Sequence, residues 1–158
     1  MRNIKQKSMA FLCGLSLSIL SAGPQASGNV AMPPDPLYVQ ECGGCHVPYP
    51  ARMLSRSSWQ ALLNGLQNHF GSNADLDRDS LQAIGRYLEA NAKRGETVAD
   101  GKPILRITET RWFQHEHDEI SGQTWKLPAV KSPSNCAACH TTAAQGNYSE
   151  HQIRIPRN

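Results

Sequence analysis

The chain has 158 residues, with 16 Lys and Arg against 13 Asp and Glu. The three basic residues before Gly28 account for the excess, so the remainder holds thirteen of each sign and lacks the basic surplus of a nucleic-acid binder. No segment beyond residue 28 is apolar enough to cross a bilayer, which takes about 20 consecutive apolar residues.

The chain opens on MRNIKQK, positive at Arg2, Lys5 and Lys7, then the apolar run MAFLCGLSLSIL, then the small, breaking SAGPQASG. That order is a secretory signal, too short to be an anchor, with cleavage expected after Gly28 or Ala26. The mature protein is therefore expected in the periplasm. Cys13 leaves with the signal, and the four cysteines that remain lie in ECGGCH (41–46) and NCAACH (135–140). Charge is uneven along the mature chain: six basic and eight acidic groups over 29–100, seven and five over 101–158.

Asp35 and Pro36 read as an N-cap with proline at the first helical position, starting a short helix that runs into the first motif. SSWQALLNGLQNHFG reads as a helix started by Ser57 and Gln60 in a capping box and ended at Gly71. Its apolar face is Trp59, Leu62, Leu63, Leu66 and Phe70, with His69 about 20° from Leu62 around the axis. DLDRDSLQAIGRYLEANAKRG reads as a second helix faced by Leu81, Ile84, Tyr87 and Leu88. Gly85 sits inside it at a cost of about 1 kcal/mol against alanine, where it could let another helix approach. KRGETVADGKP is a linker by composition. An extended ILRITET follows, then an aromatic turn at Trp112 and Phe113, a Gly-containing loop, and a helix start at Ser132 and Pro133 before the second motif.

C-x-x-C-H is the pattern of covalent haem c attachment. Two cysteines so spaced reach the two vinyl groups on one haem edge, and the next histidine lies under the iron. A tetrahedral zinc site built from two CxxC pairs would have no use for His46 and His140, and a redox dithiol needs no histidine there. Haem is thus expected at Cys42 with Cys45 and at Cys136 with Cys139, His46 and His140 being the proximal ligands. The mature chain offers two methionines, Met32 and Met53, both close to the first motif, so histidine is the better sixth ligand for both irons. His69 is the candidate in the first half. The second half offers His115 and His117, which point about 160° apart on a helix, and His151. His117 lies 23 residues before His140, as His69 lies 23 after His46, and is preferred to His115, with His151 third.

These readings give a mainly α protein of two small haem-binding domains. Residues 29–98 form a class I cytochrome c-like domain, and 99–158 a short, irregular one. At about 65 residues each, the halves are marginal as polypeptide cores alone, so the haem is expected to supply much of each core.

ECGGCHVPYP, WQALLNGLQNHFG, LRITETRWFQHEH and VKSPSNCAACHTTAAQGNYSEHQIRIP together resemble the small dihaem cytochromes c whose partner is an oxygen-binding monohaem cytochrome c of the SHP type. The resemblance spans nearly all of the mature chain. It implies one bis-histidine haem per domain, with His46 paired to His69 and His117 to His140. His115 is then an extra beside the Glu-His of the family, here Glu116-His117. It also implies an electron carrier, not an enzyme. Two other classes compete with it: a dihaem peroxidase, which needs a displaceable distal ligand, and the small dihaem subunit of a larger periplasmic reductase.

Overall fold

Asp35 accepts a hydrogen bond from the Tyr38 amide at 3.0 Å, and Pro36 occupies the first turn, where its missing N–H costs nothing. These two residues start helix α1 (Pro36–Cys42), which delivers the first cysteine. The computed structural model describes residues 35–95 and 98–157. The expected signal segment 1–28, Cys13 and Met32 lie outside those residues.

Helix α2 (Arg56–Leu63) starts earlier and ends earlier than the sequence pattern predicts. Its N-cap is Ser55, whose hydroxyl accepts from the Ser58 amide at 3.3 Å, so Ser57 lies inside the helix. Asn64 and Gly65 stop it, and a 3-10 turn, Leu66–Asn68, carries the chain on to His69. The long helix expected to run to Gly71 is therefore broken in the middle. Phe70 and Gly71 both take left-handed backbone angles, φ 53° and 96°. The amide–carbonyl pairs His69 to Ser72 and Ser72 to His69, 2.7 and 3.1 Å, close this reversal.

Helix α3 (Arg78–Asn91) matches the pattern, capped by Asp77 through the amides of Asp79 and Ser80. α2 packs on α3. Tyr38, Ala51, Leu54, Trp59, Leu62, Ile84 and Leu88 form the core between α1, α2 and α3. Trp59 donates its indole N–H to the Ala51 carbonyl at 2.7 Å, and Tyr38 its hydroxyl to the Tyr49 carbonyl at 2.8 Å. Thus the chain just after the first motif is pinned to the core by two buried side chains. The Lys93 amide reaches the Leu54 carbonyl at 2.8 Å and ties the end of α3 to the start of α2.

Beyond α3 come the two-residue strands β1 (Val98–Ala99) and β2 (Lys102–Pro103), antiparallel, with Val98 opposite Pro103. ILRITET is only partly extended, because Ile107–Glu109 forms a 3-10 turn. Leu105 and Ile107 pack against the first core. The expected aromatic turn is instead helix α4 (Arg111–Glu116), capped by Thr110, and the loop after it holds the one-turn helix α5 (Gly122–Trp125), capped by Ser121. No α-helix starts at Ser132. The second motif forms a 3-10 turn, Cys136–Ala138. The architecture is mainly α. Among the described residues no helix is long and apolar enough to cross a membrane.

The two halves differ in what they bury. The core cluster and the side chains packed on it lie within residues 37–107, whereas among the described residues beyond them the buried apolar side chains are Phe113, Val130 and Ala143. Such a sparse set cannot offset the entropy of ordering so many residues.

A methyl at Gly85 would meet Leu63 Cδ1 at 3.5 Å, an ordinary contact. α2 does approach this glycine, but leaves room for a side chain. Gly85→Ala is therefore expected to raise stability by up to about 1 kcal/mol, read as a higher midpoint in denaturant unfolding of the haem-loaded protein.

Candidate functional site

The first motif begins at the end of α1. The Gly43 amide caps the helix on the Val39 carbonyl at 2.8 Å, and a Cβ at Gly43 would run into that carbonyl oxygen. The residue after Cys42 has to be glycine for the helix to stop there. His46 is half-buried, and its Nδ1 lies 2.8 Å from the Val47 carbonyl, which can only accept. Nδ1 is therefore the donor, which in the neutral tautomer leaves the lone pair on Nε2.

The broken helix brings His69 to the opposite side. The centres of the His46 and His69 rings are 6.3 Å apart, with planes at 26°. Tyr49 also stacks on the motif histidine, centres 4.6 Å apart and planes at 14°. His69 is flanked by Phe70, over which the Arg106 guanidinium lies at 3.9 Å. Burial, with lesser contributions from His46 and Arg106, holds His69 below the usual imidazole value.

The second half repeats the arrangement by other means. Thr110 is buried, accepts from the Phe113 amide at 3.1 Å and donates to the Ile107 carbonyl at 2.7 Å. It starts α4, and His117 caps the other end. His117 Nδ1 lies 2.9 Å from the Phe113 carbonyl one turn back, which again fixes the proton on Nδ1. Its ring stacks on Phe113 at 4.1 Å, with Trp125 at 5.9 Å. His140 stands opposite, ring centres 6.1 Å apart and planes at 70°. Burial, and then His117, holds His140 below the usual imidazole value. His115 and His151 are both exposed. Met53 is buried in the turn Ala51–Met53.

An imidazole nitrogen lies about 2 Å from the metal it binds, and its ring centre about 1.1 Å further back, so two imidazoles on opposite sides of one metal have centres about 6.2 Å apart. Both pairs meet that spacing. In each pair one ring is anchored through Nδ1, while the Nδ1 of the other, His69 or His140, is buried without a protein partner. Two imidazoles at this separation would suit a haem, which brings its own four nitrogens and needs few ligands from the chain. By contrast, no three His, Cys, Asp or Glu among the described residues converge as a zinc or other protein-only metal site would need. Burial pushes Cys42 and Cys136 up to about 11 and also raises Cys139, unlike the depressed thiols of redox dithiols and metal thiolates. Among the described residues none of the four cysteines is in a disulfide.

The model of the dihaem cytochrome c family matches residues 38–148, an interval that contains both motifs and both imidazole pairs. The chain is a member of that family. A dihaem cytochrome c type structure from Shewanella baltica OS155 is 36% identical, with a TM-score of 0.68, over 79% of this chain and 95% of that one. Two structures of dihaem cytochrome c from Rhodobacter sphaeroides are 46% and 43% identical, with TM-scores of 0.63 and 0.65, each over 72% of this chain and 96% of the other. No curated protein sequence matches the chain. As a dihaem cytochrome c it carries two covalently bound haem c groups and transfers electrons.

Sequence reasoning missed the aromatic side chains that frame the imidazoles: Tyr49, Phe113, Trp125 and Tyr148, whose ring centre is 5.3 Å from that of His140. The spacing of Tyr49, three residues past His46, and of Phe113, four before His117, was the available signal.

Thr110→Ala removes both the cap of α4 and the bond that folds the preceding turn onto it. It is expected to lower stability by about 0.5–2 kcal/mol, with Thr110→Ser retaining most of it, as measured by thermal unfolding of the haem-loaded protein.

Proposed function

We propose that this dihaem cytochrome c is a periplasmic carrier of single electrons, exported by a cleaved segment 1–28, with two bis-histidine haems. Haem 1 would be joined to Cys42 and Cys45 between His46 and His69 in a domain of residues 29–98. Haem 2 would be joined to Cys136 and Cys139 between His117 and His140 in a domain of residues 99–158. The observation that carries this reading is the pair of opposed imidazoles in each half, centres 6.3 and 6.1 Å apart. Bound haem supplies a one-electron couple; the chain's part is to hold the ligands, tune the potential and keep substrate away. Backbone carbonyls orient His46 and His117 and increase their basicity, which favours the ferric state. With His46 and His69 holding one haem and His117 and His140 the other, neither site would keep an opening for peroxide or another substrate, and this favours a carrier over a peroxidase.

The acceptor proposed is an oxygen-binding monohaem cytochrome of the SHP type, on the strength of the family resemblance. A role as subunit of a larger periplasmic reductase differs in requiring a permanent partner.

Both oxidised irons are expected to be low-spin. The near-parallel pair (26°) and the crossed pair (70°) are expected to give different electron-spin signals, the first rhombic and the second strongly axial. His69→Ala should open one site to carbon monoxide and remove the rhombic signal, and His117→Ala the other with the axial one. His115→Ala should change neither. A high-spin product from His115→Ala in place of His117→Ala would reverse the assignment.

Residues 29–100 carry a side-chain charge of minus two and residues 101–158 plus two, from the counts above. Such a dipolar surface speeds encounter with a charged partner more than it tightens the complex. Electron transfer to the monohaem partner at low protein concentration is expected to slow as salt shortens the Debye length from about 10 Å at 0.1 M to about 3 Å at 1 M. A stopped-flow rate independent of salt would exclude electrostatic docking.

A further inference from the structure

Tyr49 touches both halves of the molecule. Its ring lies flat against His46, centres 4.6 Å apart and planes at 14°. Its hydroxyl donates to the Ser134 carbonyl at 2.8 Å, across 85 residues of sequence. That same carbonyl lies 3.7 Å from Cys136 Sγ. Tyr49 has little freedom, because Tyr38 donates its buried hydroxyl to the Tyr49 carbonyl at 2.8 Å and both tyrosines pack with the first core.

We propose that Tyr49 is the link through which electrons pass between the two sites, by way of its ring against His46 and its hydrogen bond to the strand of chain that holds Cys136. The proposal rests on the bis-histidine, thioether-linked reading above. Tunnelling weakens less steeply along covalent and hydrogen bonds than across a gap. The route from the His46 ring to the Cys136 sulfur consists of one stacked contact, one phenol, one hydrogen bond and the two residues from Ser134 to Cys136. One electron leaves the ferrous site, which becomes ferric, and enters the ferric site, which becomes ferrous. No bond is made or broken, and Tyr49 remains a neutral phenol throughout. The hydrogen bond also ties the chain before the second motif to the chain after the first. Tyr49 is thus a positioning residue, in contact with a ligand and not with the iron.

The test uses the complete haem-loaded protein and no partner. The parent's low-spin spectrum checks the ligand reading first, so that its failure is separate from failure of the link. A photochemical reductant then delivers one electron, and rapid-freeze electron-spin spectra follow its redistribution between the rhombic and axial sites. Tyr49→Phe keeps the ring and loses the hydroxyl. The variant is expected to stay low-spin at both sites, to keep the gap between the two potentials, and to equilibrate severalfold more slowly than the parent. Tyr49→Leu, which also loses the stacked ring, is expected to be slower again. Equilibration in Tyr49→Phe at the parent rate would overturn the proposal. So would a slower rate accompanied by a changed potential gap large enough to account for it, because the effect would then be one of driving force and not of connection.

Discussion

The structure depends on holding two imidazole rings, with their nitrogens, at a fixed separation, twice: centres 6.3 and 6.1 Å apart. Such nitrogens must be unprotonated to bind a metal. Burial and the opposing ring hold His69 and His140 below the usual imidazole range, and the carbonyls of Val47 and Phe113 set the tautomers of His46 and His117. The rest of the local architecture serves this placement. α1 ends where Gly43 makes it end, α2 breaks so that His69 can turn inward, and α4 ends where its C-cap, His117, can reach back to Phe113.

The halves meet the same requirement with different materials. In the first, three helices and a tight apolar cluster surround the motif, and the facing histidine sits in a reversal that forces Phe70 into left-handed geometry. A non-glycine residue there carries a cost, and the guanidinium of Arg106 over the Phe70 ring helps to offset it. In the second, the supporting groups are aromatic rings and a buried threonine cap. The ring planes consequently differ, near-parallel in one and crossed in the other.

Elements with complete local signals were legible in the sequence. α1 and α3 have an aspartate cap each, proline in place for α1 and a regular apolar face for α3, and the structure contains both. α2 was misread at both ends because three serines, Ser55, Ser57 and Ser58, offer competing caps, and because Leu66 and Phe70 continue the helical spacing past Gly65. α4 was missed because six residues are too few to display a period, and its cap, Thr110, closed a segment that read as extended. The CxxCH motifs were visible because their spacing is dictated by the cofactor and not by the fold. The reach of Tyr49 to Ser134 was not, because it depends on where the backbone returns after 85 residues.

The thinness of apolar burial beyond residue 107 bears on how such a molecule is made. A chain with so little side-chain core of its own has no stable compact form to reach before the prosthetic group arrives, so haem comes first and compaction of this half follows. A copy that misses its second haem keeps a loose tail that proteases can cleave, while its first half, with a core already in place, is the better protected. Cofactor supply would then set the amount of complete protein without any dedicated regulator.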